Sequence, residues 1–227
     1  MRRRRVPSSR FPVPRSRRRP LVASSTGNRE PNTGNRGVGV GETVVTAYVG
    51  LGSNLGDRVS NCASAAVALG MLPETILGIV SPFYETEPED GAGPQWFING
   101  VVAIETALPP RQLLAELQAI EGFFDRPAER ARGKNRTLDL DLLLYGHRVI
   151  IQPDLVVPHV RLHLRRFTLV PLCSVAPDLV HPGFGRPMSE LLDALPPGPV
   201  VRPAEDGWPG WEDEETWAKA GGRMGRA

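Results

Sequence analysis

Cysteine is scarce. Only Cys62 and Cys173 occur in 227 residues, too few for a disulfide framework, which fits a soluble protein of a reducing compartment such as the cytoplasm. No uninterrupted apolar run approaches the ~18 residues that span a bilayer, so no membrane segment is expected. No secretory leader is visible. Neither a G-x-x-x-x-G-K-[ST] loop nor the protein-kinase motif set is present, which removes both standard nucleotide scaffolds. Internal repeats are absent, and so is methionine between Met1 and Met71. What remains is 41% hydrophobic and 23% charged residues, an ordinary globular composition for one domain with extensions. Glycine (24) and proline (23) are plentiful, which predicts many loops.

The net charge of +2 hides an asymmetry. Residues 1–42 carry eleven Arg and two Glu, about +9, leaving about −7 for residues 43–227. The basic segment is rich in Pro, Ser, Gly and Asn and poor in large apolar residues, so burial cannot offset its ordering entropy. Three readings stay open for it. It is a mis-set start, with translation beginning at a codon near Val38, Val40 or Val44; a passive tail; or a targeting or RNA-touching arm. The domain proper is expected over 43–200. Residues 201–227, with Trp208, Trp211 and Trp217 among acidic residues, are expected as a C-terminal extension or a tryptophan-anchored partner segment.

Strands and helices mix along the middle of the chain. Thr43–Leu51 is β-branched and aromatic and predicts a strand, broken by the turn residues Gly52-Ser53-Asn54-Leu55-Gly56. Asp57 is placed to cap a helix whose apolar stripe runs through Val59, Cys62, Ala66 and Leu69. Thr75–Tyr84 reads as a strand interrupted at Pro82, Glu87–Gln95 as a loop, and Phe97–Thr106 as a strand. Pro109 or Pro110 opens a helix carrying Leu113, Leu114, Leu117 and Ile120. A long basic loop follows to Arg136, then a strand Thr137–Tyr145, a turn at Gly146-His147, and a short return strand Val149–Ile151. Helices are expected near Arg165–Cys173 and Ser189–Leu195.

The most informative peptide is Arg136-Thr137-Leu138-Asp139-Leu140-Asp141-Leu142. Strand side chains alternate, so Asp139 and Asp141 project to one side while the leucines pack on the other. Two adjacent carboxylates call for a cation, and one or two carboxylates beside substrate phosphates is how Mg²⁺ is commonly held. Alone, the pattern also describes an edge strand with two solvated aspartates. The neighbouring cations favour the first reading: Arg126, Arg130, Arg132, Lys134 and Arg136 precede the pair, and His159, Arg161, His163, Arg165 and Arg166 follow it. Guanidinium groups bond phosphate oxygens bidentately, and the set points to phosphoryl transfer.

Four separated segments carry a resemblance. Tyr48 to Arg58 (YVGLGSNLGDR), Phe97-Ile98-Asn99, Arg136 to Asp141, and Val157-Pro158-His159 through Arg165, Phe167 and Pro171-Leu172 resemble, in order and spacing, the 6-hydroxymethyl-7,8-dihydropterin pyrophosphokinase family. The resemblance covers about Thr43 to Leu195. It implies a ferredoxin-like α+β sandwich with an antiparallel-rich sheet flanked by helices, and transfer of the ATP diphosphate to a pterin hydroxymethyl group in folate biosynthesis. It further implies that Asp139 and Asp141 hold two Mg²⁺ ions. Phe97 and Phe167 would clamp the pterin, with Asn99 and the backbone around Thr86, Glu87 and Pro88 reading its edge. Gln118, Arg132, Arg136, Leu142, His159 and Arg165 fall where the family contacts ATP, and Arg126 and Arg132 match arginines of a closing loop. Gly52, Ser53 and Asn54 would support the pocket as a structural turn.

The chain departs from the pattern in that loop. Arg132-Gly133-Lys134-Asn135 stands where many members have Arg-Trp-Gly-Pro, and Ala128 replaces a second arginine. Fewer closing contacts are expected. A monomer acting on ATP and a pterin, without nucleic acid or membrane, is the resulting expectation. Its rivals are a non-catalytic ferredoxin-like module that binds RNA through the basic arm, and a Mg²⁺-dependent nucleotide hydrolase.

Overall fold

The computed structural model describes residues 43–89, 94–124 and 135–205. In chain order the elements are β1 (Val45–Ser53), α1 (Arg58–Gly70), β2 (Thr75–Val80), β3 (Tyr84–Thr86), β4 (Phe97–Thr106), α2 (Pro110–Phe123), β5 (Asp139–Tyr145), β6 (Ile150–Gln152), β7 (Leu155–Val157), a 3₁₀ turn (Leu162–Leu164), α3 (Arg166–Val175), β8 (Val180–His181), β9 (Arg186–Pro187), α4 (Met188–Asp193) and β10 (Val201–Pro203). The main sheet runs β10-β3-β4-β1-β5, and β2 pairs with the far half of β4. All its pairings are antiparallel. The order β5-β1-β4-β2, built from β1-α1-β2 and β4-α2-β5 halves, is the split βαβ arrangement of a ferredoxin-like sandwich.

Strand alternation divides the packing into two layers. Leu51, Ile98, Val102, Leu140 and Leu142 join Cys62, Leu69, Leu113 and Leu117 of α1 and α2 in the larger core. Val101, Leu143 and Leu144 meet Leu162, Leu169, Leu172, Met188 and Leu191 on the other side, under α3 and α4. A bulge makes this possible. The β1–β5 register slips between Tyr48 and Val49, so Leu143 and Leu144 both serve the second core while Tyr145 returns to the first and donates from its hydroxyl to the Leu108 carbonyl, 2.8 Å away. Each fully buried leucine contributes about 1.5–3 kcal/mol by leaving water.

Several local expectations agree with the structure. Asp57 caps α1, its carboxylate accepting from the Ser60 N–H at 3.1 Å, and β4 spans Phe97–Thr106 as read. Others need correction. β1 continues through Gly52 and Ser53, because these pair with Asn99 and Ile98 and the ladder outweighs their turn preference. The strand after Gly146 does not return along β5: Ile150–Gln152 pairs with Leu155–Val157 in a separate hairpin. Residues 201–203, expected in the C-terminal extension, form β10 and pair with β3.

β2 approaches β4 closely where its register breaks between Leu77 and Val80. A Cβ on Gly78 would lie 2.7 Å from the Ala103 carbonyl oxygen, inside any tolerable contact. Gly78→Ala is therefore expected to destabilise the fold by about 1–3 kcal/mol, the range of overpacking. Urea titration should show a lower midpoint with an unchanged slope; an unchanged midpoint would mean that β2 yields at no cost.

Candidate active site

The site lies on the α3 side of the sheet, where three strands run side by side. Gly52 is paired with Asn99 on one flank and Asp139 on the other, and Gly50 with Val101 and Asp141. Residues opposite one another in an antiparallel pair share a face, so both glycines, Asn99 and both aspartates face the same way. A side chain at Gly52 would begin 3.0 Å from the Asn99 amide oxygen. The absence of side chains here leaves a cavity of about 730 Å³ whose floor is β1.

One end of the cavity is charged. Asp139 accepts from Arg136, Oδ1 to Nη1 at 2.5 Å. Arg165 stands between two acids, its Nη1 3.8 Å from Asp141 Oδ2 and its Nε 3.8 Å from Glu89 Oε2. The Arg165 Nε is buried and makes no hydrogen bond among the described residues, an orphaned donor of the kind that calls for an explanation. The charged group is nevertheless held: its guanidinium lies 5.1 Å from the centre of the Phe167 ring. Burial pushes the Asp141 carboxyl above its ordinary value, and the Asp139 charge acts in the same direction. Burial lowers the His159 imidazole, against the pull of Asp141. His159 Nδ1 accepts from the Arg161 N–H at 3.3 Å, which places the proton of the neutral ring on Nε2.

The other end is aromatic and amide-lined. Phe97, Asn99, Thr86, Glu87 and Phe167 all border the cavity. Asn99 is fixed by donating from Nδ2 to the Thr86 hydroxyl at 2.6 Å. The Glu87 carboxylate is turned to the backbone, accepting from the Val200 N–H at 3.0 Å. From α2 come Gln118 and, one turn on, Glu121. Glu121 is buried and its Oε1 accepts from the Leu140 N–H at 2.9 Å, anchoring β5 between the aspartates.

The structure thus brings Asp139, Asp141, Thr86, Glu87, Phe97, Asn99, Phe167, Gln118, Arg136, Leu142, His159 and Arg165 to one cavity. Arg126 and Arg132 lie outside the described residues. Sequence reasoning passed over Glu89, Glu121 and Asp154, which also border it. Glu121 left a trace, an acid at the end of an apolar helical stripe; Glu89 and Asp154 sit in irregular segments and left none. Asn54 was read as part of a structural turn, and its contacts specify the role: Oδ1 accepts from the Arg136 N–H at 2.7 Å and Nδ2 donates to Asn135 at 3.0 Å. Asn61 adds a bond from Nδ2 to the Thr137 carbonyl at 3.2 Å. These two amides fix the entry into β5.

The donor set fits Mg²⁺. Two carboxylates share one strand face, burial holds the Asp141 carboxyl above its ordinary value, and among the described residues no cluster of three or more His, Cys, Asp or Glu side chains forms a metal cage. A hard cation held by one or two carboxylates and completed by substrate phosphates has those requirements.

Residues 48–177 match the family described as 7,8-dihydro-6-hydroxymethylpterin-pyrophosphokinase. The chain belongs to this family. A Pseudomonas aeruginosa 2-amino-4-hydroxy-6-hydroxymethyldihydropteridine pyrophosphokinase is 46% identical over 149 residues, 66% of this chain and 91% of the relative. Its Haemophilus influenzae namesake is 43% identical over 139 residues, 61% and 86% of the two chains. Among solved structures, a Plasmodium falciparum HPPK-DHPS has the same fold, with a TM-score of 0.54 at 16% identity over 68% of this chain; this chain spans 45% of that longer one. Family membership gives no support to the RNA-binding or nucleotide-hydrolase alternatives.

The carboxylate pair has a consequence for stability. With its pKa raised by the fold, Asp141 holds a proton more tightly when folded than when unfolded, so its contribution is complete below the ordinary aspartate value of ~4 and is lost as pH rises through the raised one. His159, lowered by the fold, contributes in the opposite sense, gaining as pH rises through its window. Asp141→Asn cannot titrate. In chelator, its melting temperature relative to the wild type is expected to climb as pH rises from about 4. Parallel curves would show that the pair is not strained.

Proposed function

We propose that this chain transfers the diphosphate of ATP to the hydroxymethyl group of 6-hydroxymethyl-7,8-dihydropterin, releasing AMP, as a step of folate biosynthesis. The observation that carries the proposal is the joining of two ends in one cavity. The Asp139–Asp141 pair and the orphaned Arg165 Nε suit a polyphosphate, while Phe97, Phe167 and the Thr86-anchored Asn99 suit a flat, hydrogen-bonding heterocycle.

Asp139 and Asp141 would hold Mg²⁺, two ions in our reading, and the metal when bound supplies charge neutralisation and Lewis acidity at the phosphates. Arg136, Arg165 and His159 line the charged end and would donate to phosphate oxygens as negative charge shifts during transfer. Gln118 and Leu142 would border the nucleotide. Phe97 and Phe167 would hold the pterin ring, with Asn99 and the backbone of Thr86, Glu87 and Pro88 reading its edge. The pterin hydroxyl oxygen attacks the β-phosphorus in line; the new O–P bond forms as the bond to the α-phosphate oxygen breaks, AMP departs, and the hydroxyl proton is released. Arg126 and Arg132 would close over the substrates and exclude water, so that the pterin rather than water accepts the diphosphate.

No covalent enzyme intermediate is involved in this scheme. Burial pushes the Cys62 thiol up to about 12 and that of Cys173 to about 11, which leaves neither as a thiolate at neutral pH. A monomer is the working form in this reading, and the two-cysteine composition is in keeping with a reducing compartment such as the cytoplasm.

The test is AMP formation by the full chain from ATP and Mg²⁺, with and without the pterin. AMP is expected only with pterin, and Asp139→Ala or Asp141→Ala should lower turnover by roughly 10²-fold or more, the scale seen when one preorganised charge-stabilising group is removed. Pterin-independent AMP would favour hydrolysis. Intact turnover in both variants would overturn the proposal.

A further inference from the structure

The wall proposed to hold the pterin is built from short pieces. β3 and β10 are three residues each, and Phe97 is the first residue of β4, preceded by irregular chain. Isolated short pairings of this kind are marginal in water. Something else must fix Phe97, Thr86 and Asn99 to the accuracy that stacking on a flat ring requires.

On the opposite face of the sheet from the cavity, four residues close a ring. Arg58, the first residue of α1, donates from Nη1 to the Trp96 carbonyl at 2.8 Å and from Nη2 to Glu85 Oε1 at 3.0 Å. The other oxygen of Glu85 accepts from Arg202 of β10, Nη2 at 2.8 Å and Nε at 3.3 Å. The Arg202 guanidinium lies over the Trp96 ring, 4.9 Å from its centre. Glu85 is thus divided between two arginines, and Trp96 is held from both sides, by its carbonyl and by its ring. The Glu85 carboxyl is pulled below the usual range, first by its bond to Arg202 and then by Arg58, so the ring is fully charged at neutral pH.

Each anchored residue is a sequence neighbour of one that lines the cavity. Trp96 precedes Phe97; Glu85 precedes Thr86, whose hydroxyl fixes Asn99. Thr86 pairs with Phe97 and with Val201, and Glu85 with Ile98 and Arg202. Strand alternation therefore puts Glu85 and Arg202 on one face and the next pair along, Thr86 and Phe97, on the cavity face. β10 closes the assembly from the far edge, where the Glu87 N–H donates to the Val200 carbonyl at 2.9 Å. Residues 200–203 lie beyond the segment that matches the family, 48–177.

We infer that Arg58, Glu85, Trp96 and Arg202 are positioning residues for the pterin wall, and that the C-terminal strand β10 takes part in substrate recognition by bracing that wall from behind. The inference rests on the proposed function for the identity of the ligand. The charged, phosphate-facing end of the cavity is borne by β5 and the segment around His159 and Arg165, which the ring does not touch. The effect should accordingly be selective for one substrate.

The experiment is steady-state AMP formation by the full chain carrying Arg202→Ala, with Arg58→Ala as the second variant and melting temperature as a fold control. Arg202 is largely exposed, 60% of its side chain, so its replacement should leave a folded enzyme. The KM for pterin is expected to rise by about three- to tenfold while the KM for ATP stays within about twofold, since binding on one side alone is being loosened. A merely structural role would lower the melting temperature or the active fraction, scaling kcat and leaving both KM values in place; that result, or an equal rise in both, overturns the inference. If the wild-type chain forms no AMP with pterin, the functional proposal itself fails, which this control separates from failure of the bracing role.

Discussion

Two like charges placed two residues apart on one strand face are the constraint around which this molecule is arranged. Two carboxylates so placed in a half-buried wall repel one another unless cations answer them. The chain supplies part of that answer, Arg136 against Asp139 and Arg165 at longer range against Asp141. Among the described residues the answer at Asp141 is partial. Asp141 stays raised, and the Arg165 Nε stays without a hydrogen bond. A buried, raised Asp141 carboxyl beside a guanidinium whose Nε makes no hydrogen bond among the described residues suits a ligand that brings both signs, such as the metal-bound polyphosphate we propose.

The pair could be read in the sequence because its geometry is local. Alternation of Leu138, Asp139, Leu140, Asp141 and Leu142 over a few residues dictates which side faces the core, whatever the rest of the chain does. β4 and the capped start of α1 were legible for the same reason. The bulge at Leu143 was not, since an apolar run such as Leu142-Leu143-Leu144 is compatible with either phase and only the pairing with Tyr48 and Val49 selects one. The partner of Ile150–Gln152 was misjudged because hairpin formation with β5 was the nearer option, while Leu155–Val157 offered a shorter return. β10 was hidden still more deeply: a three-residue strand ending in proline has almost no propensity signal.

What the sequence withheld most completely is the ion network behind the wall we propose for the pterin. Arg58 and Glu85 are 27 residues apart, and Glu85 and Arg202 are 117 apart. Each taken alone is an unremarkable surface charge of the kind that contributes little. Their significance comes from sharing one carboxylate and one tryptophan, a convergence that only the folded sheet creates. The family resemblance could assign Phe97 and Asn99 by their motif, but it had nothing to say of Trp96 or Arg202, which stand outside the matched segments that carried it.

The two ends of the cavity therefore rest on different kinds of support. The end proposed to bind metal is held through the backbone of β5 and its approach: β5 is paired to β1, the Glu121 carboxylate accepts from the Leu140 N–H, and the side-chain amides of Asn54 and Asn61 bond the Arg136 N–H and the Thr137 carbonyl. Its geometry is carried by many bonds of short reach and tolerates little variation, as charge placement demands. The aromatic end is held by side chains that cross from a helix, an edge strand and the C-terminal strand. Such a wall can be retuned by substitutions distant from the ligand without disturbing the charged floor, since the glycines of β1 separate the two. A fold that divides its support in this way lets the wall of Phe97 and Asn99 be adjusted from Arg58, Trp96 and Arg202 while the strand that carries Asp139 and Asp141 keeps its own anchors.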